Sequence, residues 1–119
     1  NKKAKNDTHQ YNCNGQTLGK GPLVLAVIKL HVENNSESTF SSLEAQFPKS
    51  IRGSDGVFDT IESANEKYAR NNKKRHFINP EDQIKLQDST IAVSNQWTTS
   101  TIKPFISVAK ELGYEINSI

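Results

Sequence analysis

Apolar residues recur with a helical period over most of the chain and alternate with polar residues in one later stretch. From Leu23 to Glu33, Leu23, Val27 and Leu30 share one face of a predicted helix, and Pro22 suits its first turn. The many β-branched residues leave a buried strand as the alternative for this segment. We predict the helix.

A second, shorter helix is predicted from Phe40 to Phe47, where Phe40, Leu43 and Phe47 fall on one stripe. Thr39 is a favourable N-cap, and Pro48 ends the helix. A tight connector from Pro48 to Gly53 follows.

The most regular helical stripe belongs to a third helix, which Ser54 is predicted to cap and which runs to about Ala69 or Arg70. Its apolar positions are Val57, Ile61, Ala64 and Tyr68.

Beyond the third helix the apolar period changes to two, which indicates strands. Phe77-Ile78 is predicted to start a strand, and residues 79–82 to turn it. A hairpin or three-stranded meander then turns again at Asp88-Ser89, with alternating positions Ile84, Leu86, Ile91, Val93, Asn95 and Trp97.

The two ends of the chain carry further turn and cap signals. Asn14-Gly15 predicts a short N-terminal hairpin within residues 11–18. A last helix is predicted with Ser100 or Thr101 as its N-cap and Gly113 as its C-terminal cap. Residues 1–10 show no periodicity and predict a flexible basic arm or linker.

The predicted fold class is therefore α+β, with residues 11–119 as a single winged-helix-like domain. Three helices are followed by a β-hairpin and a C-terminal helix, with the short hairpin in front. This is the element order of a winged helix-turn-helix, although a fold does not determine a function.

The charge distribution argues against a strongly basic folded body. Residues 1–20 carry four lysines and one aspartate, a net charge of +3, whereas the other 99 residues carry 11 basic and 12 acidic groups, a net charge of −1. A single cysteine, Cys13, rules out an internal disulfide and favours a cytoplasmic location. No apolar run approaches the length of a membrane helix, so we expect no membrane partner.

The main candidate for binding is a run of cations directly after the third helix. Its basic residues are Lys67, Arg70, Lys73, Lys74 and Arg75, with no acid between residues 67 and 76. Cations stabilise a helix C-terminus, which is the structural interpretation, and they neutralise phosphates, which is the functional one. Acids on the exposed face of the third helix (Asp59, Glu62 and Glu66) argue against its docking in a major groove.

A second candidate is the strand end Asn95-Gln96-Trp97. An indole beside amide side chains can stack on a base and contact its edge, but a lone Trp more often packs in the core. We predict that Gln96 and Arg52 assist the basic residues.

Signals for catalysis are weak. There is no Asp-x-Lys or Glu-x-Lys sequence, the three histidines are widely separated, and no phosphate-loop spacing is present. We therefore predict no catalytic residue, no metal site and no small-molecule cofactor, and we keep a small nuclease only as a minor alternative.

Several short segments resemble a small bacterial domain that is associated with restriction and phage-defence genes. They include Asn14-Gly15, Thr39-Phe40, Phe47-Pro48, Gly53-Ser54, Gly56-Val57, Arg75-His76-Phe77, the stretch 91–97 and the stretch 112–116. Ser89 and Thr98 stand where that domain would have glycine. The resemblance implies a bacterial protein that handles DNA, and it carries over no catalytic residues.

Together these observations predict a non-catalytic accessory module that binds nucleic acid, with DNA favoured, within a larger bacterial protein or complex. The alternative is a protein-interaction or dimerisation domain, because the segment Leu23–Ile28 holds more apolar residues than one buried face requires.

Overall fold

The computed structural model describes residues 10–13, 15–53 and 56–118 as a mixed α+β fold. These residues contain helices α1 (Lys20–Asn34), α2 (Phe40–Gln46), α3 (Ile61–Asn71) and α4 (Thr99–Glu111). Short 3-10 turns cover Lys49–Ile51 and Pro80–Asp82. The strands are β1 (Tyr11–Cys13), β2 (Gln16–Leu18), β3 (Phe58–Thr60), β4 (Ile84–Lys85), β5 (Thr90–Val93) and β6 (Ile116–Ser118).

The first sheet joins the two ends of the described chain in the order β2-β1-β6. The predicted N-terminal hairpin is confirmed, with Tyr11 opposite Leu18, and Gly15 has the positive φ of 80° that the turn requires. Asn14, residues 1–9 of the predicted arm, and Ser54 all lie outside the described residues. Strand β6 pairs antiparallel with β1, and the sequence pattern did not indicate it.

The second sheet has the order β3-β5-β4 and confirms the predicted hairpin of β4 and β5. Phe77-Ile78 forms no strand, which corrects the prediction. Only His76 bridges to Ser94, and the Phe77 amide donates to the Val93 carbonyl. The third strand of this sheet is instead β3, which precedes α3, so the element order differs from the predicted one by the strands β3 and β6.

Helices α1, α2 and α4 lie close to their predicted positions. The side chain of Thr39 accepts a hydrogen bond from the Ser42 amide and caps α2, as predicted. Thr98, rather than Ser100 or Thr101, is the N-cap of α4. Gly113, with φ of 103°, ends α4 in the predicted way, since its amide and that of Tyr114 bond carbonyls of the last turn.

Helix α3 begins four residues later than the first apolar position of its predicted stripe. The run from Val57 to Thr60 is rich in β-branched and aromatic residues, and Phe58 gains a buried position opposite Val93 in the sheet. Thr60 therefore caps the helix, its side chain accepting from the Ser63 amide. Tyr68, the last apolar position of the predicted stripe, is 40% exposed.

The core draws side chains from both sheets and from the helices. Leu23, Val24, Val27 and Ile28 of α1 are fully buried against it. The excess of apolar residues in this segment is therefore accounted for by burial within the chain. Cys13 is also buried, and burial raises the pKa of its thiol.

Candidate nucleic-acid interface

Ser94 lies where β5 leaves the second sheet, and it organises the candidate site. Its amide donates to the Val57 carbonyl at 2.9 Å on one side, and it bridges to His76 on the other. Its hydroxyl accepts a 3.2 Å hydrogen bond from the Gln96 amide, which turns the chain out of the sheet. Residues 95–97 therefore leave the sheet between the Gly56-Val57 segment and the Lys74–His76 segment.

Asn95 ties this exit to the cationic segment. Its amide donates to the Arg75 carbonyl at 3.0 Å, and its side-chain Nδ2 donates to the Lys74 carbonyl at 3.1 Å. The Lys74 ammonium in turn donates to Oδ1 of Asn79 at 2.9 Å. The backbone that carries Lys74 and Arg75 is thus held directly against residues 95–97.

Arg52 holds the opposite side of the exit. Its Nε donates to the Gln96 carbonyl at 2.7 Å, and a terminal nitrogen donates to the Gly56 carbonyl at 3.3 Å. The predicted assistants Arg52 and Gln96, 44 residues apart in the chain, are therefore neighbours.

Trp97 is fixed and only partly buried. Its indole Nε1 donates to the Ser94 carbonyl at 2.7 Å, and its ring centroid lies 5.6 Å from that of Phe105. Trp97 lines an open cleft of about 390 Å³. This Trp97 cleft is formed by Arg52, Asn95, Gln96, Trp97, Thr98 and Thr101.

We use the name basic cluster for Lys67, Arg70, Lys73, Lys74 and Arg75. Two of its cations are paired: Lys67 Nζ lies 2.8 Å from Oδ2 of Asp59, and Arg70 lies 3.3 Å from Oε1 of Glu66. Within residues 10–13, 15–53 and 56–118, neither Lys73 nor Arg75 forms an ion pair. Their positive charge is therefore presented to solvent.

Asp59 is the acid that the sequence pattern misplaced, since it lies in β3 and not on the exposed face of α3. Burial opposes its ionisation, but hydrogen bonds from Lys67, from Ser63 and from the Thr60 amide outweigh burial and lower its pKa. The carboxylate is therefore engaged with its neighbours, and it cancels the charge of Lys67 locally.

A small cavity of about 200 Å³ lies within the basic cluster, lined by Lys67, Arg70, Asn71, Arg75 and His76. Its cations come from α3 and from the segment that follows. Of the seven predicted site residues, three line this cavity, Arg52 and Gln96 line the Trp97 cleft, and the exposed Lys73 and Lys74 belong to the segment that Asn95 holds.

Sequence reasoning missed Thr98 and Thr101 in the Trp97 cleft. They form the capping box of α4, in which each hydroxyl accepts from the amide of the other residue, at 3.2 and 2.9 Å. The Thr-x-x-Thr spacing directly after Trp97 is the signal that could have placed the start of α4 beside the indole.

A larger cavity of about 450 Å³ lies between α1 and α2, lined by His31 and seven polar side chains that include Glu37. Burial lowers the pKa of His31, and a hydrogen bond with Gln46 opposes this shift only in part. With Glu37 and no lysine or arginine among its described lining residues, this cavity does not suit a phosphate.

Among the described residues, no group of three or more His, Cys, Asp or Glu side chains is arranged to hold a metal ion. None of the helices in this part of the chain combines the length and the apolar character needed to cross a membrane. No protein-family model, curated protein or solved structure matches the chain. Function is therefore inferred from the physical chemistry of the site.

Proposed function

We propose that this chain is a non-catalytic, nucleic-acid-binding module of a bacterial cytoplasmic protein or complex, with DNA as the favoured ligand. The observation that carries the proposal is the position of Lys73 and Arg75. They form no ion pair with the described residues, and their segment is hydrogen-bonded to residues that lead into a cleft lined by amides and an indole. Lysine and arginine bind nucleic acids by neutralising phosphates and releasing counterions.

Within the basic cluster the cations have unequal roles. Lys73, Lys74 and Arg75 are exposed and are proposed as the main phosphate contacts. Lys67 and Arg70 contribute less, because Asp59 and Glu66 offset their charges. Arg52 is proposed to assist nucleic-acid binding from the far side of the Trp97 cleft, where the Gln96 carbonyl orients its guanidinium.

The proposal uses only part of the winged-helix likeness, because the exposed face of α3 is acidic. In this proposal, helix α3 would take the place of a recognition helix, and the hairpin of β4 and β5 would take the place of a wing. Glu62 and Glu66 are exposed on α3 and would face phosphates in a major groove. The proposed contact surface is therefore the C-terminal end of α3 with the segment after it.

A protein-interaction or dimerisation domain is the alternative function. The observation that motivated it was the apolar segment Leu23–Ile28, and four of its side chains are fully buried within the chain. Leu25 and Ala26 are half-buried, and Leu25 packs against the core, so the segment offers little apolar surface to a partner and we favour nucleic acid.

The test is a fluorescence-anisotropy titration with labelled duplex DNA, single-stranded DNA and RNA at low and at physiological salt. We expect binding that weakens with salt. Affinity falls with salt, so the slope of log affinity against log salt concentration is negative. The double variant K73A/R75A should make this slope less steep, by about 1.4 for a single strand or about 1.8 for a duplex.

The matched control is K85A/K110A, which removes the same charge from exposed positions away from the site. Lys85 lies toward the opposite end of the second sheet from Ser94, and Lys110 lies in the last turn of α4. Absence of binding at low salt, or equal losses in the two double variants, would overturn the proposal.

A further inference from the structure

We propose that the Trp97 cleft holds an unpaired nucleobase of the strand whose phosphates contact the basic cluster. This inference rests on the proposed function, and it adds that the ligand is single-stranded, or has an unpaired base, where it meets the protein. It also assigns recognition of the base to Trp97 and Gln96, and leaves phosphate contact to Lys73, Lys74 and Arg75.

The indole is positioned as a stacking platform before any ligand arrives. Its Nε1 hydrogen bond to the Ser94 carbonyl and its packing against Phe105 fix the ring at the wall of the cleft. A ring that is already immobilised loses little conformational freedom on binding. Base-aromatic stacking is a major source of affinity for single strands, and it needs a base whose face is exposed. In a duplex both faces are covered by neighbouring base pairs.

Gln96 supplies the group that can contact a base edge. Its Nε2 donates to Oδ1 of Asn95 at 2.6 Å, which orients the amide. One amide hydrogen and the carbonyl oxygen remain for a ligand, and a side-chain amide with one donor and one acceptor pairs with the edge of a base. Thr98 and Thr101 use their hydroxyls in the capping box, so they shape the cleft and do not provide the main contacts.

The volume and charge of the cleft also fit a base. Its size of about 390 Å³ falls within the range of about 300–1,000 Å³ that is usual for small-ligand pockets. Apart from Arg52, the described lining residues are neutral, and none is a carboxylate. A neutral, planar, hydrogen-bonding group suits this lining better than a phosphate does.

The position of the cleft beside the basic cluster favours a nucleotide over an isolated aromatic group. Asn95 lines the cleft and also bonds the carbonyls of Lys74 and Arg75. A base in the cleft and a phosphate at Lys74 or Arg75 are therefore close enough to belong to one strand.

The test uses the intrinsic fluorescence of Trp97, the only tryptophan in the chain. The protein is titrated with a short single-stranded oligonucleotide, with an abasic oligomer of equal length and charge, and with the corresponding duplex. We expect the single strand to quench the indole emission and to bind about 5- to 150-fold more tightly than the abasic oligomer.

Variants separate the base contact from the phosphate contact. Gln96→Ala should weaken binding of the single strand more than it weakens binding of the abasic oligomer. Gln16→Ala, an exposed glutamine on β2, should change neither. Trp97→Leu removes the aromatic ring and should remove most of the preference for the single strand, provided that its circular dichroism and melting show a folded protein. Because this variant has no tryptophan, its binding is followed by the anisotropy of labelled oligonucleotides.

The outcomes distinguish this inference from the proposed function. Equal, salt-dependent affinity for the single strand and the abasic oligomer, without quenching, would overturn the base-binding cleft and leave phosphate binding intact. Tighter binding of the duplex would also overturn it. No binding of any oligomer at low salt would overturn both.

Discussion

Lys67 Nζ lies 2.8 Å from Oδ2 of Asp59, so one cation of the basic cluster is held by a carboxylate eight residues earlier. Asp59 is on β3, which runs directly into α3, and Lys67 lies two turns into that helix. Helix side chains tilt toward the N-terminus, which directs Lys67 back toward β3. The pair joins the second sheet to α3 and reduces the charge offered to a ligand.

Replacing Asp59 with Asn should destabilise the protein in a pH-dependent way. The pKa of Asp59 is lower in the folded protein than its ordinary 3.8, so the carboxylate stabilises the fold above that value. The stabilisation is lost as the pH falls below 3.8 through the folded pKa. We expect Asp59→Asn to lower the free energy of unfolding by about 1–2 kcal/mol at pH 7, and by less at pH 3.

Urea unfolding of the wild type and of Asp59→Asn across this pH range measures the difference. Glu66→Gln is the control, because Glu66 pairs with Arg70 on an exposed surface and should change stability by only a few tenths of a kcal/mol. A difference between wild type and Asp59→Asn that stays constant from pH 7 to pH 3 would contradict the role given to the carboxylate.

The same variant should bind nucleic acid more tightly than the wild type. Asp59→Asn releases Lys67 from its carboxylate partner beside Arg70 and Arg75 in the small cavity. We expect the negative slope of log affinity against log salt concentration to become steeper by up to about 0.7 for a single strand. Anisotropy titrations measure this slope.

Glu111→Gln is the matched control for that increase. It makes the same change in net charge at the far end of α4 from the Trp97 cleft. An equal gain in both variants would mean that net charge alone is responsible, and that Lys67 does not reach the ligand.

His31 should make the fold sensitive to mild acid. It is buried beside Phe47, and its Nδ1 lies 2.8 Å from the Tyr114 hydroxyl. Because its pKa is below the ordinary 6.5, the unfolded chain binds the proton more readily, and stability is lost as the pH falls below 6.5. The loss amounts to about 1.4 kcal/mol for each unit by which the pKa is lowered.

Unfolding free energies at pH 7 and pH 5 check this expectation. The wild type should lose more stability over this interval than His31→Gln, which cannot titrate. The stability contribution of Asp59 changes only at lower pH, below 3.8, so the contributions of His31 and Asp59 change in separate pH ranges. An equal loss in the wild type and in His31→Gln would assign the acid sensitivity to other groups.

The sequence predicted those features that depend on residues close together in the chain. Thr39 caps α2 and Gly113 ends α4, because a cap is decided by one side chain or one positive φ within a few residues. The hairpins around Gly15 and between β4 and β5 follow from the same local turn chemistry.

Strand pairing between segments distant in the chain was harder to predict from the sequence. The segment 57–60 has apolar spacing compatible with a helix, but Phe58 lies opposite Val93 in the sheet. A strand exists only when its partner supplies the hydrogen bonds, so the start of α3 was decided by β5. The same reasoning applies to β6, which pairs with β1 at the other end of the chain.

By itself, the sequence determined the α+β class, the caps, most of the helices and the residue types of the candidate site, because local propensity and periodicity carry that information. The tertiary structure decided which of those residues meet. It paired Lys67 with Asp59, placed Arg52 against Gln96, and held the Lys74-Arg75 backbone to Asn95 beside the indole of Trp97. These contacts depend on sheet pairing and packing between segments distant in the chain, which no local pattern specifies.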